Sequence, residues 1–122
     1  MKVLLSIKPE YVEKIFNGSK KYEIRKSIFK RKDIKKIIIY SSSPISKVVG
    51  EFEIEDIISD DLDNVWNIIK YESGVSVDFF YKYLENKEIA YAIKIGRIKK
   101  YRKPKKLEDF NIFYAPQSFV YV

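Results

Sequence analysis

The fold of this chain is decided near its middle, by the stretch Val48-Val49-Gly50-Glu51-Phe52-Glu53-Ile54-Glu55-Asp56-Ile57-Ile58. Side chains of an extended strand alternate between two faces. Every second residue from Val48 to Ile54 shares one uncharged face, whereas the opposite face holds Val49 and three glutamates. We therefore predict one long strand over residues 48–58, with an apolar face and an acidic face.

Shorter strands and helices are predicted on both sides of this long strand, from period-2 alternation and from apolar residues at helical spacing. The predicted strands cover residues 3–7, 21–25, 36–41, 89–98 and 118–122. The predicted helices cover residues 9–17, about 61–71 and 77–84, and one helical turn is predicted at 107–110. Asp61 or Asp63 is suited to cap the second helix and Ser76 the third. A bulge is expected at Gly96, where the alternation changes parity.

The order of these elements is β-α-β-β-β-α-α-β-β, which lacks the regular βαβ alternation of parallel α/β proteins. It favours the α+β class, with a mixed or mostly antiparallel sheet that curls into a small barrel and about three short helices at its ends. The chain has 122 residues, and domains typically contain about 100–150. We therefore predict a single domain over residues 1–122.

The composition excludes several kinds of site. The chain has no cysteine and no histidine, which excludes disulfides and Ser-His-Asp or Cys-His catalysis and argues against zinc. An all-oxygen magnesium site stays open, but we predict no metal and no cofactor. No apolar stretch approaches the roughly 18 residues of a membrane span, and the apolar run at residues 3–7 is too short for a signal peptide. We therefore expect a cytoplasmic protein without a membrane partner.

The charge is unevenly distributed. Lysine and arginine number 24 against 17 acidic residues, a net charge of +7, which indicates an anionic partner, with nucleic acid the first candidate. The basic residues concentrate in segments 20–36 and 94–106, and the acidic residues in segment 51–63. If the two basic segments meet in space, they form a footprint for phosphates. The alternative is two solvated surfaces that never meet.

Polar chemistry is concentrated in the segment Gly18-Ser19-Lys20-Lys21-Tyr22-Glu23-Ile24-Arg25. Glu23 and Arg25 are two residues apart on a predicted strand, so both side chains leave the same face. Lys20 precedes the strand, where a flexible ammonium group can reach the same space. The segment predicts a small charged pocket with a guanidinium, an ammonium and a carboxylate. An ordinary exposed strand face with a Glu–Arg pair worth less than about 1 kcal/mol is the alternative.

Further motifs follow in order along the chain: Ser6-Ile7-Lys8-Pro9, a short helix, Gly18-x-Lys20-x-x-Glu23-x-Arg25, Val49-Gly50-Glu51-Phe52 and Ala115-Pro116-Gln117-Ser118-Phe119. Together they resemble the ASCH domain, the activating-signal-cointegrator homology domain of the PUA-like superfamily, over essentially the whole chain. The resemblance implies a PUA-like β-barrel with a cleft that binds RNA, in RNA processing, translation or transcription. Its partner would be RNA, with DNA as a further possibility.

The resemblance also implies roles for residues. Gly18 would allow a close turn into the cleft, Lys20 and Arg25 would contact anions or bases, and Glu23 would orient them. Gly50 and Glu51 would border the cleft. With the basic segments, the candidate nucleic-acid contacts are Lys8, Gly18, Lys20, Lys21, Tyr22, Glu23, Arg25, Arg97, Lys99, Lys100, Arg102 and Lys103.

Two other functions remain open at this point. Some family members are hydrolases: one branch cleaves the amide of N4-acetylcytidine with a lysine, a threonine and a glutamate, and another member is a ribonuclease. The resemblance then implies a metal-independent site of Lys20, Glu23 and Glu51, although Glu23 occupies the position of the threonine nucleophile. The third possibility is a transcription-linked adaptor that binds a protein through the acidic face at residues 51–63.

Overall fold

A computed structural model describes all residues, 1–122, as one sheet with helices packed against it. The strands are β1 (Val3–Ile7), β2 (Tyr22–Arg25), β3 (Lys36–Ser41), β4 (Lys47–Asp61), β5 (Ile89–Lys105) and β6 (Phe119–Tyr121). The α-helices are α1 (Pro9–Phe16), α2 (Leu62–Ile69) and α3 (Val77–Tyr83), and a 3₁₀ helix, η1, spans Leu107–Phe110. None of these helices is long and apolar enough to cross a lipid bilayer.

The six strands form a mixed sheet in the order β2-β5-β4-β3-β1-β6. Only β1 and β3 run parallel, and every other neighbouring pair is antiparallel. The sheet curls so that its two edges approach each other: Arg25 on edge strand β2 donates a hydrogen bond of 3.0 Å to the hydroxyl of Ser118, next to edge strand β6. The predicted α+β class, with a mixed and barrel-like sheet, is confirmed.

The two longest strands, β4 and β5, pair with each other in the sheet. Phe52 pairs with Ile98 and Ile54 with Ile95, so β5 has one residue more than β4 between these pairs, which confirms the bulge at Gly96. β5 continues to Lys105, seven residues beyond the predicted end at 98. Beyond Ile95 this strand pairs only with β4, and a strand edge tolerates Pro104 because its missing N–H is not needed there.

Three hydrophobic clusters hold the helices and the sheet together. The first fills the concave side of the sheet and includes Phe52, and the second packs α2 and α3 against β2 and β5 around Phe80. The third lies on the other side of β1, β3 and β4, under η1 and the C-terminal segment. Asp61 and Ser76 cap α2 and α3 through backbone N–H groups, as predicted.

Candidate functional site

A cavity of about 210 Å³ opens where the two edges of the curled sheet meet. Its walls come from the end of β1, from α1, β2 and α3, and from the segment before β6. Four of the predicted site residues line it, namely Lys8, Lys20, Glu23 and Arg25. Segments that are far apart in the chain therefore build one site.

Lys20 is delivered to the cavity by the turn after α1. Gly18 has φ +85°, a backbone conformation that favours glycine, and this turn ends the helix. The Lys20 side chain is only 2% exposed, and its ammonium group donates a hydrogen bond of 2.6 Å to the carbonyl of Ser73. Gly74 leaves room for this side chain, because a Cβ there would lie 2.9 Å from the Cβ of Lys20.

Glu23 lies between two cations. Its Oε2 is 3.3 Å from the guanidinium of Arg25, and its Oε1 is 3.9 Å from the ammonium of Lys20. The guanidinium of Arg25 also donates a hydrogen bond of 3.0 Å to the hydroxyl of Ser118 and a longer one, of 3.5 Å, to the carbonyl of Ser6. Two buried cations against one carboxylate leave one positive charge uncompensated, which suits an anionic or strongly electron-rich ligand.

Burial changes the acid–base properties of the site. It lowers the pKa of Lys20 below its ordinary value of 10.5, because desolvation disfavours the charged ammonium, and the nearby carboxylate of Glu23 offsets only part of this effect. Burial also raises the pKa of Tyr11 and of Tyr83 above the ordinary value of 10.0, because desolvation disfavours the charged phenolate. A lysine with a lowered pKa is closer to the range in which it can transfer protons.

The remaining wall of the cavity is aromatic. Phe79 and Tyr83 lie parallel at 5.6 Å between ring centroids, and Tyr11 meets Phe79 edge-on at 5.7 Å. The ammonium of Lys20 is 5.2 Å from the ring of Tyr11, and that of Lys26 is 4.8 Å from the ring of Tyr83. A planar ring can therefore contact an apolar wall on one side of the cavity and charged groups on the other.

Three predicted contacts in this segment, Gly18, Lys21 and Tyr22, do not line the cavity. Tyr22, a predicted nucleic-acid contact, is a core residue: strand alternation turns it away from Glu23 into the second hydrophobic cluster, where it is 7% exposed. Lys21 is exposed beside the cavity without lining it, and Gly18 acts through its turn alone.

Glu51, a predicted partner of Lys20 and Glu23, does not line the cavity. It accepts a hydrogen bond of 2.9 Å from the hydroxyl of Tyr101 and lies 3.4 Å from the ammonium of Lys36. Burial opposes its ionisation, but the hydrogen bond and the positive charges of Lys2 and Lys36 outweigh burial, and the pKa of Glu51 is lowered. The structure gives this carboxylate partners of its own, away from the charged residues of the cavity.

The basic residues of β5 also lie outside the cavity. Beyond the bulge, the strand forms a basic arm, residues 97–105, that pairs with residues 48–52 of β4. Its predicted contacts are exposed on the surface: Arg97, Lys99, Lys100, Arg102 and Lys103. The other end of the β4–β5 pair carries Glu55, Asp56, Asp60 and Asp61, so this strand pair is basic at one end and acidic at the other.

Several acidic residues of segment 51–63 are engaged locally. Glu55 lies 3.3 Å from the ammonium of Lys94, and Asp61 caps α2. Asp63 accepts a hydrogen bond from Tyr81, which raises the pKa of that phenol to about 12. No group of three or more acidic side chains is arranged to hold a metal ion.

Sequence reasoning missed the residues that complete the cavity. Ser73 and Gly74 fall between two predicted helices and carry no periodic signal, yet the carbonyl of Ser73 accepts a hydrogen bond from Lys20. Phe79 and Tyr83 lie on a helix whose apolar spacing indicates only packing. Gln117 lines the cavity and belongs to the Pro-Gln-Ser-Phe motif, which is the one signal in the sequence that pointed to this segment.

One family model matches most of this chain. A family model described as a domain of unknown function, DUF365, matches residues 1–114, which include every charged residue of the cavity. The chain belongs to the DUF365 family. This family assignment by itself carries no activity.

Three relatives match over most of the chain. The ATP synthase subunit alpha of Ureaplasma parvum is 33% identical over 124 residues, and the ribosomal protein uL22 of the same species is 28% identical over 120 residues. This DUF365 chain spans only 15% and 39% of their lengths. An ASCH domain-containing ribonuclease of Zymomonas mobilis is 29% identical over 89 residues, which cover 73% of this chain and 60% of the ribonuclease.

Solved structures agree with the fold. The crystal structure of ASCH from Zymomonas mobilis superimposes with a TM-score of 0.89 at 26% identity, and the match covers 99% of this chain and 87% of that one. The DUF365 chain therefore has an ASCH-like fold.

Proposed function

We propose that this DUF365 protein binds RNA and receives one base or modified nucleoside in the cavity, within a barrel of the PUA-like type. The observation that carries the proposal is the buried trio of Lys20, Glu23 and Arg25 beside an aromatic wall. Burying three charged side chains in a domain of this size costs stability, and such costs are typical of binding and catalytic sites.

The cavity has the dimensions and chemistry for a heteroaromatic ring. A cavity of roughly 150 Å³ already holds benzene, and this one measures about 210 Å³. Stacking on aromatic side chains and hydrogen bonds to base edges are the usual means of recognising an unpaired base in RNA. Tyr83 and Phe79 would supply the stacking surface, Glu23 would accept from an amino group, and Arg25 would donate to ring acceptors.

Phosphate contacts would supply most of the affinity, since counterion release dominates binding of a strongly charged strand. Lys8 lines the cavity and Lys26 lies against Tyr83 beside it. The basic arm of β5 offers a longer positive surface. Duplex DNA has no unpaired base to place in the cavity, so single-stranded RNA should be preferred.

The test is fluorescence-anisotropy binding of single-stranded RNA, hairpin RNA and duplex DNA at about 50 and 200 mM salt, the range over which phosphate contacts weaken. Lys20→Met and Arg25→Lys should each weaken RNA binding at least tenfold. Arg25→Lys keeps the charge but loses the planar fork. Lys87→Ala removes an exposed lysine outside the cavity and serves as the control. Binding that is indifferent to both cavity variants would contradict the proposal.

A hydrolase is the second candidate, and the lowered pKa of Lys20 favours it. In RNA cleavage, the cavity would position a 2′-hydroxyl for attack on the adjacent phosphorus, Lys20 or Glu23 would move the proton, and Arg25 would stabilise the charge on the phosphorane. In hydrolysis of an acylated nucleoside such as N4-acetylcytidine, Glu23 would act as general base on water. Neither proposed reaction uses Glu51, because its carboxylate does not line the cavity.

Product analysis with EDTA present separates binding from hydrolysis. Cleavage of RNA would yield a 2′,3′-cyclic phosphate and a 5′-hydroxyl, and hydrolysis of N4-acetylcytidine would yield cytidine and acetate. Either activity must be lost in Lys20→Met and retained in Lys87→Ala. If wild-type protein binds RNA but leaves both substrates intact, the hydrolase candidate is wrong and the binding proposal stands.

A further inference from the structure

A second concavity, a groove of about 350 Å³, lies beside the cavity. It is formed by the segment between η1 and β6 and by β6 itself, and its walls include Phe113, Tyr114 and Gln117. Nothing in the proposed base pocket uses Phe113 or Tyr114. We call it the C-terminal groove.

Two aromatic side chains of the groove are unusually exposed. Phe113 is 74% and Tyr114 is 81% exposed, and they are consecutive in the chain. A phenylalanine that contributes to a core is buried, so packing does not explain this pair. Exposed neighbouring aromatic rings with a concave surface beside them are suited to stacking an unpaired base.

The groove is continuous with the cavity. Gln117 lines both of them. The next residue, Ser118, accepts the hydrogen bond from Arg25, which is one of the charged residues of the cavity. An RNA strand with one base in the cavity therefore passes Gln117 to reach the groove.

One hydrophobic cluster connects the groove with the end of the basic arm of β5. Ile112 and Val120 line the groove and pack in the same hydrophobic cluster as Tyr101 and Phe110. The ammonium of Lys105, at the end of the arm, lies 4.8 Å from the ring of Tyr101 and 6.0 Å from the ring of Phe110.

Two acidic residues, Glu108 and Asp109, lie on η1 nearby. Asp109 is engaged with the backbone N–H of Lys106. The cavity and the groove share Gln117, and the cluster with Tyr101 and Phe110 connects the groove with Lys105 at the end of the arm.

We propose that the C-terminal groove is a second nucleotide subsite, in which Phe113 and Tyr114 stack the base next to the one held in the cavity. The inference rests on the proposed binding of RNA and deepens it, because it makes a single strand of at least two nucleotides the ligand. Gln117 stands at the boundary of the two subsites, and Lys105 meets the phosphate that leaves the groove.

The test compares ligands of one and two nucleotides by isothermal titration. Wild-type protein should bind a ribodinucleotide more tightly than the mononucleotide. The double variant Phe113→Ala with Tyr114→Ala should weaken dinucleotide binding by about 5- to 150-fold, the range for loss of one base–aromatic stack, and leave mononucleotide binding unchanged. Tyr71→Ala is the matched control, since Tyr71 is 88% exposed and lines neither concavity.

A tryptophan introduced into the groove gives an independent readout. Phe113→Trp should show fluorescence quenching on addition of the dinucleotide and none on addition of the mononucleotide, whereas wild type, with Trp66 alone, should show neither. Equal losses for both ligands, or no loss for either, would overturn the second subsite. If wild-type protein binds neither these ligands nor longer RNA, the proposed function itself fails, which is a distinguishable result.

Discussion

At the scale of single residues, Lys20 shows the conflict between stability and function. Its ammonium group is nearly fully buried, and its carboxylate partner is 3.9 Å away, too far for a strong ion pair. One short hydrogen bond to the carbonyl of Ser73 compensates only part of the lost hydration. An apolar side chain of similar length avoids this cost.

We therefore expect Lys20→Met to leave the free energy of unfolding within about 1 kcal/mol of wild type, or to raise it, while it weakens the proposed RNA binding. Urea unfolding at pH 7 measures this. A large loss of stability in Lys20→Met would show that the lysine is structural.

The difference in free energy of unfolding between Lys20→Met and wild type should depend on pH. Because the folded pKa of Lys20 is below 10.5, its unfolded value, the unfolded state binds more protons between these two values. The penalty from Lys20 is therefore complete below the folded pKa and is lost as the pH rises towards 10.5. The stability difference between Lys20→Met and wild type should shrink over that range.

The charged trio was predictable from the sequence, and its surroundings were not. Two-residue spacing on a strand places Glu23 and Arg25 on one face whatever the tertiary structure, and the same rule turns Tyr22 to the other face. The contact of Lys20 with Ser73 joins residues 53 positions apart. Such contacts depend on how loops pack, for which the sequence holds no periodic signal.

At the scale of the elements, the path of β4 and β5 depends on a close approach to α1. A Cβ at Gly50 would lie 2.6 Å from the carbonyl oxygen of Lys99 and 2.9 Å from the ring of Phe16. The carbonyl belongs to the neighbouring strand and cannot move aside without disturbing the pairing. Gly50 thus allows α1, and with it Tyr11 and Lys8, to sit close to the sheet.

Gly50→Ala should lower the free energy of unfolding by about 1–3 kcal/mol, the usual cost of forcing extra atoms into a packed region. Glu53→Ala, an exposed position on the same strand, should change it by no more than about 0.5 kcal/mol. Equilibrium urea unfolding compares the two variants. Equal stabilities would show that the strands shift easily and that the close approach is not needed.

Most elements were predictable because their signals are local. Caps at Asp61 and Ser76, the bulge at Gly96 and the order of strands and helices all follow from short patterns. The basic arm was not recognised as strand, because Pro104 and repeated lysines usually end one. Only the pairing with β4, a non-local interaction, extends β5 to Lys105.

At the scale of the whole molecule, the charge separation along the paired strands β4 and β5 predicts how the proposed RNA binding should respond to salt. If phosphates contact the basic arm, replacing Arg102 and Lys103 by glutamine removes two contacts. The slope of log affinity against log salt concentration for single-stranded RNA should then fall by about 1.4, at about 0.7 per contact. The matched double replacement of Lys82 and Lys87, outside the arm, should leave the slope unchanged.

Anisotropy titrations over several salt concentrations measure these slopes. Equal slopes for the arm variant and wild type would mean that the arm is a solvated surface and that the strand follows another path. The two basic segments do not merge into one surface inside the cavity, so charge counting alone could not decide between these outcomes.

The closing strand has a consequence for how this fold can be combined with others. Lys2 and Val122 exchange a pair of backbone hydrogen bonds of 3.0 and 2.9 Å, and residues paired in this way have Cα atoms about 5.5 Å apart. The path into the domain therefore begins beside the path out of it. Residues 1–122 could therefore be inserted into a surface loop of another protein without separating the two ends of that loop.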